Sequence, residues 1–286
     1  MQSREIASED SEIAAAGRDL LASAPMLLTA TRRVALSLAL SSLALRRPAF
    51  AADDKADFER ASRAAYAKFQ AADYPAAEQA WAGVAENFPK EPLAFANWAT
   101  VLIILASDGM SLGVKPTGEP LARLERALDC LEKAEALGSR DALLLNDRGN
   151  ALGLLQRWEE ARAAYGASAD ASPRDFEAIP RSNEALVSFE LGEEARAERE
   201  VRTLLRRDPA FKDGEALLAA LQWSQGSKEY SQTVAQLCNE PGWCARYSTV
   251  DVVMGRWTPR AVEAWRGLLQ EKAVQRELKD GFARAR

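Results

Sequence analysis

The sequence predicts an all-α, superhelical solenoid of stacked antiparallel helix pairs, closed at its C-terminal end by a capping helix. Three observations carry that prediction. Ala, Leu, Glu and Arg dominate a 286-residue chain whose Pro and Gly fall mostly between apolar-periodic runs, a helical composition with helix punctuation. One pattern of small and large residues recurs at a step of 34 residues or more, and self-similarity at such a period marks a repeat array. In the clearest copy the packing positions of the second helix follow i, i+4 and i+7, one face of an α-helix.

Residues 1–51 read as a targeting region rather than as part of the array. Val34 to Leu45 is uncharged, with Arg32 and Arg33 before it and Arg46-Arg47-Pro48-Ala49-Phe50-Ala51 after it. A basic flank, an apolar stretch and a small-residue site at Ala49 and Ala51 predict a signal peptide cleaved after Ala51. The stretch is shorter than the roughly 20 apolar residues of a bilayer span, so no stable membrane span is expected after cleavage. Thr31-Arg32-Arg33 resembles a twin-arginine export signal. Residues 1–30 then form an extension as in a two-stage plastid import sequence, but Glu5, Glu9, Asp10, Glu12 and Asp19 make it acidic, whereas transit peptides are acid-poor. Plastid and bacterial export both stay open.

The array is expected over residues 52–246. Its first unit carries Ala65, Phe69, Tyr74, Ala77, Trp81, Val84 and Pro89. The second lies between Pro92 and Asp141, with Trp98 and Ala99 on its first helix and Ala127, Leu131 and Ala134 on its second. The third, Leu143 to Pro173, is clearest: Gly149 permits close helix contact, Trp158 follows the turn, Ala161, Tyr165 and Ser168 share a face, and Pro173 ends the unit. The fourth repeats the order with Ala185, Phe189, Gly192, Ala197, Val201, Leu204 and Pro209. The marker alanines Ala77, Ala127, Ala161 and Ala197 step by 50, 34 and 36 residues. A degenerate fifth unit follows, with Ala216, Ala219 and Trp223, a turn at Gly226, and a second helix near Tyr230 to Leu237. Residues 247–286 form a terminal segment in which Thr258-Pro259, an N-cap and first-turn pair, opens an amphipathic helix through Val262, Trp265, Leu268 and Leu269.

On these residues the chain from about 57 to 211 resembles the tetratricopeptide repeat family, whose period is the 34-residue step. The terminal Tyr247 to Leu269, with Arg256-Trp257-Thr258-Pro259, is similar to the ending of plastid and cyanobacterial tetratricopeptide proteins. That resemblance implies a thylakoid-lumen scaffold that assists assembly or maintenance of a photosynthetic membrane complex, peripherally associated with it. Family members that clamp chaperone C-termini carry Lys and Arg across the groove. Ser62, Asn97 and Leu143 stand at the corresponding positions here, so no such clamp is expected.

Composition narrows the chemistry further. There is no histidine, and the 37 basic and 42 acidic residues give a net charge of −5. Removing residues 1–51 takes away 6 basic and 5 acidic groups and leaves −6. A mildly acidic chain gives no basic surface for nucleic acid. Without histidine the commonest general base and the commonest nitrogen metal ligand are missing, and three cysteines in this spacing form no zinc framework. No metal, cofactor or catalytic residue is expected, and the reading is non-enzymatic. The enzymatic alternative is a hydrolase using carboxylates alone, for example on a glycan, with pairs such as Glu159-Glu160 and Glu193-Glu194; both pairs sit beside hairpin turns, and adjacent helical residues do not converge on one point.

Stacked hairpins present their first helices to a concave groove, and Tyr66, Asn97, Thr100, Asn146, Asn150 and Asn183 project into it as candidates for holding a protein or peptide partner. Carboxamides serve both donors and acceptors of an extended backbone; asparagines on such helices also bond neighbouring hairpins. The insertion Ala106 to Glu119 should be an exposed loop. Trp81, Trp98, Trp158 and Tyr165 occupy packing positions. Cys238 and Cys244, around Pro241-Gly242, are expected to bridge, with Cys130 buried as a small hydrophobe. A further alternative is an adaptor that oligomerises through Trp257 and Trp265.

Overall fold

The computed structural model describes residues 52–284 apart from 109, 111 and 112; the targeting residues Arg32, Arg33, Ala49 and Ala51 lie outside the described residues. Five antiparallel hairpins follow one another: α1 (Ala52–Gln70) with α2 (Tyr74–Asn87), α3 (Pro92–Ser107) with α4 (Gly118–Ala136), α5 (Ala142–Leu154) with α6 (Trp158–Ala171), α7 (Ala178–Glu190) with α8 (Glu194–Arg207), and α9 (Lys212–Ser224) with α10 (Tyr230–Leu237). Three further helices complete the chain: α11 (Pro241–Arg246), α12 (Pro259–Leu268) and α13 (Lys272–Arg284). There is no strand among the described residues, and no described helix is long and apolar enough to cross a membrane.

The repeat pattern is what builds the core. Ala77, Ala127, Ala161 and Ala197 are all fully buried, and Trp81, Leu131, Tyr165 and Val201 one turn on and Val84, Ala134, Ser168 and Leu204 in the next turn are buried with them. A methyl at the marker position lets the second helix lie close to its partner, and the larger residues fill the space on either side. Gly149 does the same from the first helix. A Cβ there would stand 2.5 Å from Cδ1 and Cε1 of Tyr165, so the aromatic ring occupies the room that glycine leaves.

One turn geometry closes four of the five hairpins. The N–H groups of Asp73, Arg157, Glu193 and Ser227 reach back to the carbonyls of Lys68, Leu152, Ser188 and Gln222 at 2.9–3.1 Å. This is the long bond of a Schellman termination, which places the preceding residue in the left-handed region. Those residues are Ala72 (φ 58°), Gln156 (φ 59°), Gly192 (φ 82°) and Gly226 (φ 73°). Two hairpins therefore bear a side chain where glycine would be relaxed. The second hairpin lacks this turn because its connection is the longer loop 108–117. Asp73 and Asp141 cap α2 and α5 by accepting from Ala76 N and Leu144 N at 3.2 and 2.9 Å, while Pro92 and Pro259 open α3 and α12.

The last hairpins and the terminal segment share one core. Trp257, Trp265 and Tyr247, each 1% exposed, pack with Phe189, Val201, Leu217 and Leu221. Trp265 meets Trp257 and Tyr247 edge to face at 5.9 and 6.0 Å. Trp257 and Trp265 thus face inward and form no oligomerisation surface, which removes the physical basis of the adaptor alternative. Cys238 and Cys244 are joined by a disulfide, both sulfurs buried against α13, where Gly281 leaves room for Cys244 Sγ. Cys130 is buried, and burial pushes its thiol up to about 11.

Candidate functional site

The first helices are joined by a ladder of buried polar side chains. Thr100 on α3 donates its hydroxyl to Asp147 Oδ2 on α5 at 2.5 Å. Asn150 Nδ2 donates to the other oxygen of Asp147 at 3.3 Å, and the Tyr165 hydroxyl donates to Asn150 Oδ1 at 2.9 Å. One turn back along α5, Asn146 Oδ1 accepts from Asn183 Nδ2 on α7 at 3.4 Å. Burial pushes the Asp147 carboxyl up to about 7, against the hydrogen bonds from Thr100 and Asn150 that draw it down. Burial first, and then the Asp147 charge, hold the Tyr165 phenol well above its ordinary value.

This arrangement corrects the projected groove. Thr100, Asn146, Asn150 and Asn183 are buried because their side chains face the neighbouring helices, where a buried carboxamide must find a partner. Thr100 and the Asn146–Asn183 pair bond hairpin to hairpin, Asn150 bonds within the third hairpin, and none of the four is an open contact for a ligand. Tyr66 and Asn97 are only half-buried, and Tyr66 stacks on Phe69 at 6.1 Å. Of the six, only these two keep accessible surface toward solvent.

The first-helix face of the last two hairpins is covered by the chain's own terminal segment. Helix α12 lies across α7 and α9, and α13 rests on α10 and α11. Arg256, 3% exposed, holds Asp213 at the start of α9 through two bonds of 2.7 and 2.9 Å, a fork geometry that fixes the angle of the strap. The Tyr247 hydroxyl donates to the same carboxylate. Thr258 makes no cap bond of its own. Its hydroxyl instead donates to the carbonyl of Leu186 at 3.3 Å, and the free first-turn N–H of Arg260 is taken by Glu190 Oε2 from α7 at 2.9 Å. A carboxylate from another helix therefore replaces the local cap and meets the positive end of α12. The Arg260 guanidinium pairs with Glu194.

Where the strap reaches the third hairpin, a cavity of about 170 Å³ opens. Val114 of the loop, Leu154 and Trp158 of the third hairpin, Leu186 of α7, and Met254 and Trp257 of the terminal segment line it. Of the described loop residues Asp108, Gly113, Val114, Lys115 and Thr117 are exposed, as expected of the insertion, and one of them also meets the terminal segment. A Cβ at Gly113 would lie 3.5 Å from Pro259 Cγ, so loop and strap meet across the array. Sequence reasoning missed this site because its walls come from three distant stretches. The available signals were the glycines Gly113 and Gly255, both at positive φ, and the apolar Met254 beside the Arg256-Trp257 pair.

The acidic pairs hold structural partners. Arg157 binds Glu160 at 2.5 Å and Arg162 binds Glu193 at 2.5 Å. Among the described residues no group of three or more His, Cys, Asp or Glu side chains converges for a metal.

No family model matches the sequence, and no curated protein matches it. Solved structures do share its shape. PilF of Pseudomonas aeruginosa superposes with a TM-score of 0.51 at 17% identity, over 80% of this chain and 99% of that one. PilW, described as a widely conserved type IV pilus biogenesis factor, gives 0.50 at 16% identity, over 77% and 97%. YrrB, described as a TPR protein with an unusual peptide-binding site, gives 0.46 at 14% identity, over 59% and 79%. At such identities the likeness is one of fold: the chain is a tetratricopeptide-type solenoid of antiparallel helix pairs, closed by a C-terminal capping helix.

Proposed function

We propose that this protein is a non-catalytic scaffold that holds a protein partner, exported to the thylakoid lumen, where it assists assembly or maintenance of a photosynthetic membrane complex. The observation that carries the binding role is the solenoid itself. Stacked hairpins offer a long first-helix surface, the terminal segment packs over that surface at the last two hairpins, and recognition falls to the first three hairpins and the cavity beside them. Helix α3, central to that stretch, contains no charged residue, which suits an uncharged partner surface and not a carboxylate terminus. Export is supported by Arg32, Arg33 and the Ala49–Ala51 site, and the lumenal assignment by Arg256-Trp257-Thr258-Pro259 with its family resemblance. The acidic extension, Glu5 to Asp19, favours a second reading, a periplasmic adaptor in a bacterium.

Cross-linking pull-down with residues 52–286, from thylakoid lumen and membranes and in parallel from bacterial periplasm, tests both readings. Specific enrichment of a membrane-complex subunit from thylakoids supports the first. Enrichment only from periplasm replaces it with the second, and no enrichment from either source over a heat-denatured control removes the scaffold role.

A further inference from the structure

We propose that the Cys238–Cys244 disulfide is a redox latch for the C-terminal helix: oxidised, it builds the platform on which α13 docks, and its reduction by a dithiol frees α13 while the rest of the solenoid stays folded. The platform is small. Helix α13 packs chiefly on α10 and α11, and the disulfide joins the residue just after α10 to one within α11, six positions apart in sequence. Helix α11 has only six residues, too few to persist as a helix without outside support. The backbone of α13 runs directly over the bridge. The Leu278 carbonyl oxygen is 4.0 Å from Cys244 Sγ, and a Cβ on Gly281 would stand 2.4 Å from that sulfur and 3.4 Å from Cys238 Cβ. Glycine thus leaves room for a bonded pair of sulfurs. Two separate thiols must move apart to non-bonded distance, and packing this close leaves no slack on the α13 side.

The effect is local because other contacts hold the neighbouring elements. The Thr233 hydroxyl of α10 donates to Gln222 Oε1 of α9 at 2.8 Å, and the strap is fixed by the Arg256–Asp213 pair and by buried Trp257 and Trp265. Trp223 Nε1 donates to Glu271 Oε1 at 3.0 Å and anchors the junction before α13. The hinge therefore falls just after Glu271. Beyond it Val274 and Leu278 are buried in the core shared with Leu237, Cys238 and Cys244, while Gln275 and Arg276 bond back to the carbonyls of Leu269 and Lys272 in their own segment. A contact of two apolar side chains holds a terminal helix only while the surface beneath it is rigid. So short a closed loop also constrains the unfolded chain less than a long one would, which places the bond's influence at this junction.

In the exchange, one thiolate of the dithiol attacks a bridge sulfur to give a mixed disulfide, and its second closes the reagent's own disulfide. The two electrons and two protons that the dithiol gives up end on Cys238 and Cys244 as thiols. Both cysteines are fully buried, so attack requires α13 to lift first. Whatever loosens α13 exposes the bridge, and by linkage loss of the bridge loosens α13.

Hydrogen exchange by mass spectrometry on the full-length protein, before and after dithiothreitol and again after reoxidation with oxidised glutathione, tests the latch. Reduction should speed exchange across residues 274–281 by about tenfold or more, on the scale of coupling between linked equilibria, with α9 and α12 unchanged and protection restored on reoxidation. Cys238→Ser combined with Cys244→Ser should show the reduced pattern without reagent. Gly281→Ala keeps both cysteines but drives a methyl into Cys244 Sγ; it should raise exchange in α13 of the oxidised chain and speed reduction of the bridge, followed by thiol alkylation. Equal protection of α13 in the oxidised and reduced chains overturns the latch, as does a bridge that dithiothreitol leaves intact in the folded protein. Loss of protection in α9 and α12 together with α13 overturns it too, since the bond would then be a staple of the whole fold.

Discussion

Replacing Asp147 by asparagine should make the protein more stable at neutral pH and flatten its pH profile. Asp147 is 1% exposed, with Thr100 Oγ1 at 2.5 Å and Asn150 Nδ2 at 3.3 Å. Burial pushes its carboxyl up to about 7 from the 3.8 of an unperturbed aspartate. Between those values the folded chain holds a proton that the unfolded chain has lost, so stability is full below about 4, falls as pH rises, and is flat above 7. A difference of about 3 pH units at 1.36 kcal/mol each gives an upper figure of about 4 kcal/mol lost across that window. The substituted carboxamide would keep an acceptor for one neighbour and offer a donor to the Thr100 oxygen, with no charge to bury. Asp147→Asn should therefore match wild type near pH 4 and exceed it at pH 8 by up to ~4 kcal/mol, or roughly 8–16 °C in Tm for a chain of this size. Thermal and urea unfolding of residues 52–286 at pH 4.5, 6 and 8 measure it. Parallel profiles for the two proteins, or a wild type more stable at pH 8, would refute the account of this ladder.

Other consequences can be checked on the same protein. Gly149→Ala drives a methyl into the Tyr165 ring and should cost about 1–3 kcal/mol by urea titration, even though alanine is the better helix former. Arg256→Met leaves the Asp213 carboxylate without its counter-charge at a buried junction and should cost about 3–5 kcal/mol, with Asp213→Asn in the same chain restoring part of it; additive losses would deny the pairing. Ala72→Gly relieves the left-handed strain at the first turn and should raise stability by about 0.5–1 kcal/mol, while the same change at the fully helical Ala82 lowers it.

The hairpins were legible because their causes are local. A helical hairpin requires apolar residues at helical spacing, a small residue at the crossing and a punctuating turn, all within one repeat, so Ala77, Ala127, Ala161 and Ala197 could be placed from spacing alone. The candidate ligand residues were not. A projection onto an isolated helix says which residues share a face, but whether Asn150 meets solvent or Tyr165 depends on how tightly adjacent hairpins close on one another. Their carboxamides were recognised as functional types, and their partners turned out to lie within the array.

The terminal segment divides the two kinds of information most clearly. Its apolar periodicity and its proline-initiated helix are sequence properties, and by itself the sequence determined that a further helix would cover the end of the solenoid. Which face it covers, why Thr258 bonds Leu186 instead of capping its own helix, and how Val114 comes to share a cavity with Met254 were decided only in three dimensions. Those outcomes depend on where Asp213, Glu190 and the loop lie when the stack is complete. Nearest-neighbour packing propagates along the chain and is written in its period. A strap that folds back across two hairpins is chosen by the surface those hairpins jointly make, and that surface exists only after they have folded.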